Sequence, residues 1–107
     1  MDKLNKDILN VIYEGRLDHI DEITADLLYK IDMYTSFADM KYEDRLRDME
    51  LINTINKYND EIVDIIKKID IIEIDAINNE NGELVMKCEG RKANLINVMI
   101  ALECKYL

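Results

Sequence analysis

The chain has 107 residues, a length for one domain, with 49% apolar and 35% charged residues, no Pro, no Trp and three Gly. That density of Ile and Leu excludes a disordered chain, and the scarcity of helix breakers points to a mainly helical protein. A formal net charge of −9 repels phosphate backbones and argues against direct nucleic-acid binding.

No apolar run reaches the roughly 18 residues of a membrane span, and the start MDKLNKDILN lacks a secretory-signal layout. Cys88 and Cys104 are too few for a disulfide framework and form no Cys-x-x-Cys. They read as reduced thiols of a cytoplasmic protein without membrane contact. The weight of Ile, Asn, Lys and Asp matches AT-rich coding, as in a low-GC bacterium or its phage.

In chain order, Leu4, Ile8, Val11 and Ile12 form one helical stripe over about 3–14, and Gly15 stands where a C-terminal cap belongs. A second helix is expected from Asp18, with Ile20, Ile23, Leu27, Ile31, Tyr34 and Ala38 as its apolar line. The stretch SFAD at 36–39 matches a capping box and places a turn within 34–44. Leu46, Met49, Ile52, Ile55, Tyr58, Ile62, Ile65 and Ile69 then line a third helix. At about 25 residues it spans roughly 37 Å, and the second helix packing antiparallel is its natural cover.

Residues 71–90, IIEIDAINNENGELVMKCEG, fit two periods. Ile72, Ile74 and Ala76 alternate with Glu73 and Asp75, and Leu84, Met86 and Cys88 alternate with Glu83, Lys87 and Glu89. The connection NNENG has the chemistry of a hairpin loop, so a β-hairpin of about 71–77 and 83–89 is predicted. A helical reading would put Gly90 inside a helix at a cost of about 1 kcal/mol. The expected fold is therefore α+β, mainly α, over one domain of 1–107, with an all-α helical bundle as the alternative.

After Gly90 a final helix carries Leu95, Met99, Leu102 and Tyr106 in one line with Ile96 and Ile100 beside it. Apolar residues on most sides of a helix in so small a chain imply a subunit interface, so these six are assigned to a homo-oligomer contact.

No catalytic constellation is evident. His19 is the sole histidine, no Glu-x-x-His pair is present, and three scattered glycines make no phosphate loop. No enzyme, metal or cofactor is expected. Acids are the prominent feature: residues 18–44 hold eight of them against Lys30 and Lys41 and carry −6 of the net charge. Asp18, Asp21, Glu22, Asp26, Asp32 and Asp39 are the candidate partner-binding face. Segment 91–107 is +2, with Arg91, Lys92 and Lys105 against Glu103, and should attract that face within or between chains. An exposed Tyr29 would mark an interface anchor, and Met33, Met40 and Met49 an adaptable contact surface.

Three roles are compatible with this reading. The first is a non-enzymatic acidic module that docks on a basic protein, such as a nucleic-acid-binding one, as phage and mobile-element inhibitors do. The second is a helical adaptor or a secretion or assembly chaperone that shields a partner's hydrophobic segment. The third is an oligomer that binds a small ligand between subunits.

Overall fold

The computed structural model describes residues 3–41 and 49–107. They form three helices, α1 (Lys3–Lys41), α2 (Met49–Asn78) and α3 (Gly82–Tyr106). Among the described residues there is no strand, so the chain is all-α and the expected β-hairpin is overturned.

The direction of each helix is fixed by its cross-contacts. Lys6 meets Glu80, Arg16 meets Asp75 and Tyr34 packs edge-on against Tyr58 at 5.8 Å, so α1 and α2 are antiparallel. Arg91 meets Asp21 and Lys105 meets Asp39, so α3 runs parallel to α1. The expected antiparallel helical hairpin is thus present, with α3 laid along it. The rod measures 61 × 19 × 17 Å. Its radius of gyration of 17.3 Å exceeds the about 13 Å of a compact 100-residue domain.

Segment 71–90 is helical because its apolar residues serve the core better at helical spacing. Ile69, Ile72 and Ala76 extend the buried line of α2, and Leu84 and Cys88 open that of α3. Period two would have paired Ile72 with Ile74, but Ile74 is exposed. An isolated two-stranded hairpin is marginal in water, whereas two long helices bury their stripes on each other.

The connection NNENG caps two helices. The amide of Asn81 donates to Ala76 O at 2.9 Å and that of Glu80 to Ile77 O at 3.1 Å, a Schellman closure of α2. Its left-handed residue is Glu80, with φ of 57°, rather than Gly82. Asn81 then caps α3, its side chain accepting from the Leu84 amide at 3.1 Å. Asn79 is buried, and its Nδ2 donates to Lys6 O at 3.1 Å and Asn10 Oδ1 at 2.6 Å. The loop is thereby fastened to α1.

Two further expectations change. Gly15 caps nothing, since α1 runs through it, and the SFAD stretch likewise stays helical. The turn expected within 34–44 does not begin before Lys41; residues 42–44, like Leu46 of the predicted third helix, lie outside the described residues. Met49 is exposed, and the core line of α2 is instead Leu51, Ile55, Asn59, Ile62, Ile65, Ile69, Ile72 and Ala76. Asn59 interrupts it, with an Oδ1 that has no hydrogen-bond partner among the described residues. Leaving such a group unpaired costs about 1–3 kcal/mol.

A methyl at Gly15 or Gly90 would meet no atom within 4 Å. Gly15→Ala and Gly90→Ala should each stabilise the fold by up to about 1 kcal/mol, read as a higher urea midpoint. An unchanged or lower midpoint would contradict continuous helices at these positions.

Candidate protein-docking face on the outer side of the first helix

At 100° per residue, Leu17, Ile20, Leu27, Ile31 and Ala38 turn one face of α1 into the core. The opposite face is also patterned. Leu4, Ile8 and Val11 lead it, with Ile12 on the flank toward α2, Asp18, Glu22 and Asp26 follow, and Tyr29 and Met33 close it, all exposed. Steps of three and four residues keep Leu4, Ile8, Val11, Gly15, Asp18, Glu22, Asp26, Tyr29 and Met33 on one stripe. Leu4 is 68% exposed, Val11 70%, Tyr29 66% and Met33 55%, too much for solvated core residues. Phe37, one turn beyond Met33, is also exposed.

The six candidate acids divide between two faces. Asp21 accepts from Arg91 Nε at 2.8 Å and Nη2 at 2.9 Å, a bidentate clasp that raises the guanidinium's proton affinity further. Asp39 accepts from Lys105 Nζ at 2.6 Å and the Tyr106 hydroxyl at 2.8 Å. These two acids hold α3 on α1, the attraction expected between the acidic and basic segments. Asp32 is exposed on the same flank. Asp18, Glu22 and Asp26 are exposed, Asp26 at the edge of a groove toward α2. His19, expected in a first helical turn, lies mid-helix and exposed, 3.8 Å from Glu22.

The neighbour of Arg91 fastens the other side. Lys92 donates to Asp70 Oδ1 at 2.7 Å and to Glu73, which hold its ammonium well above the usual lysine range. Consecutive residues of α3 therefore reach different helices, one α1 and one α2.

The six residues assigned to an oligomer contact also separate. Leu95, Leu102 and Tyr106 are buried within the single chain and Met99 is half-buried, while Ile96 and Ile100 are exposed. Cys88 is buried, which pushes its thiol up, and Cys104 is exposed.

Three shallow grooves flank α1. One of about 310 Å³ lies between Asp26 and Lys30 of α1 and Glu61, Asp64 and Lys68 of α2. One of about 520 Å³ has Ile12, Ile20, Ile71 and Ile72 as its floor with Arg16, His19 and Lys68 at the rim. The third, about 300 Å³, separates α1 from α3 around Leu28 and Val98. Among the described residues no three His, Cys, Asp or Glu side chains gather in a metal-binding arrangement. No described helix is long and apolar enough to cross a membrane.

The spacing of Leu4, Ile8, Val11 and Ile12 gives one helical stripe but does not by itself join them to Tyr29 and Met33. The signal that joins them is a common phase across Gly15, a residue that by type alone suggests a helix end. No protein-family model, no curated protein and no solved structure matches this chain.

Hydrogen bonding to Lys105 holds the Asp39 carboxyl below its ordinary value of 3.8. A depressed carboxylate stabilises the fold above its unfolded pKa, and that contribution is lost as pH falls through the folded value. Asp39→Asn should therefore lower the urea midpoint at pH 7, with the gap to wild type closing below about pH 4. A gap that is constant with pH would contradict the pairing.

Proposed function

We propose that this chain is a non-catalytic docking module that binds another protein through the outer face of α1. The observation that carries this reading is an acidic block, Asp18, Glu22 and Asp26, set between two exposed apolar blocks on one continuous helix. Large apolar side chains left more than half exposed on one helix face favour contact with another protein. Loss of Asp21 and Asp39 to internal pairs weakens a purely electrostatic dock. Of the roles expected from sequence, an adaptor or assembly chaperone that covers a partner's apolar segment therefore gains most. The outward acids add orientation and a faster encounter with a basic partner.

The double variant Ile8→Asp/Met33→Asp changes exposed positions and should retain wild-type helicity. In affinity capture from host extract, at least one protein should be retained stoichiometrically by wild type and lost with the variant. Retention should also fall as salt rises from 50 to 500 mM, since exposed charge pairs are screened. Identical capture by the two chains would refute docking on this face.

A further inference from the structure

The docking reading leaves the occupant open, and the order of the blocks on α1 restricts it. A second copy is the simplest candidate. Paired antiparallel about an axis between residues 20 and 21, α1 would set Ile8 against Met33 and Ile12 against Tyr29, matching apolar to apolar. The same register brings Asp18 and Glu22 of both copies together around the axis. Four carboxylates then share the middle of the seam. Parallel self-pairing is worse, because each acid meets its own counterpart. Of the nearby cations, Arg16 is drawn to Asp75 at 3.1 Å, and His19 lies 3.8 Å from Glu22 of its own chain. Like-charge juxtaposition of this kind disfavours an interface.

An extended peptide is disfavoured on different grounds. The middle of α1 has every backbone group committed within the helix, so it offers no edge for strand addition. A strand laid there would leave its own amides and carbonyls unpaired beneath apolar contacts. A helix brings its backbone bonds with it. It also repeats every 3.6 residues, the same spacing at which the stripe recurs on α1.

We propose that the outer face of α1 takes an amphipathic helix of another protein, apolar near both ends and rich in Lys or Arg between them. This rests on the docking reading above. From Leu4 to Met33 the stripe covers about 44 Å at 1.5 Å per residue, which calls for a partner helix of about 30 residues. Five exposed apolar side chains, at on the order of 100 Å² each, supply roughly 500 Å² a side, short of the about 800 Å² of a standard interface. The acidic block contributes the remaining contact, so affinity depends on the partner's central charge.

Two synthetic 30-residue helical peptides with the same apolar pattern, one with central Lys and one with central Glu, provide the probe. Each is titrated onto wild type, onto Asp18→Lys/Glu22→Lys/Asp26→Lys and onto Ile8→Asp/Met33→Asp, with far-UV circular dichroism checking that every chain is folded. Wild type should bind the Lys peptide about tenfold tighter than the Glu peptide, three modest charge pairs sufficing for that ratio. Charge reversal should invert the preference, and the apolar double variant should weaken both peptides. Sedimentation of wild type alone should show a monomer. Equal binding of the peptides, a preference that reversal does not move, or micromolar self-association abolished by Ile8→Asp/Met33→Asp would overturn the inference; the last result assigns the face to a second copy. If capture from extract still depends on Ile8 and Met33 while the peptides are not discriminated, only the helical basic partner fails. Capture indifferent to both residues removes the docking reading itself.

Discussion

The structure depends on α2 burying apolar residues toward two neighbours at once. Leu51, Ile55, Ile62, Ile65, Ile69, Ile72 and Ala76 form a line wide enough to receive α1 on one flank and α3 on the other. Burial of one such side chain is worth about 1.5–3 kcal/mol, and no other element supplies a comparable row. Between α1 and α3 the joints are largely polar: Arg91 to Asp21, and Lys105 with Tyr106 to Asp39. Apolar packing thus makes the rod. Charge pairs choose where the third helix lies on it.

The same economy explains the exposed surface. A rod about two helices across has a thin core, so each helix can hide only one side. In α1, residues 3–16 contribute no fully buried side chain, and Lys6, Asn10, Tyr13 and Arg16 are among those that meet the rest. The leading apolar residues are left outside because α2 and α3 already satisfy each other. Electrostatics divides along the same line, with two acids spent on cohesion and three facing solvent in the middle of the outer stripe.

Much of this was legible in the sequence. The inner line of α1, most of the line of α2 and that of α3 follow from spacings of three and four, and the helical hairpin follows from their lengths. What misled was punctuation. Gly15 and Gly90 suggested boundaries, yet a helix interior tolerates glycine for about 1 kcal/mol, less than the burial of one isoleucine. Segment 71–90 alternates well enough for a strand pair, and only the packing of the helices on one another through Ile72, Ala76, Leu84 and Cys88 decides between the periods. The acidic cluster was visible as composition. Its division between inward pairs and an outward block was not, because that requires knowing that α3 runs parallel to α1 and brings Arg91 to Asp21. Likewise Leu95, Leu102 and Tyr106 read as surplus apolar surface until α3 is seen packed on the other two helices.

The slender outline has a practical side for anyone handling the molecule in solution. A particle more than three times longer than wide drags on the solvent more than a sphere of equal mass. On a gel-filtration column a single copy will travel ahead of globular standards of its 12.6 kDa and imitate a larger assembly. Subunit number has to be weighed by scattered light or sedimentation equilibrium, where hydrodynamic shape drops out.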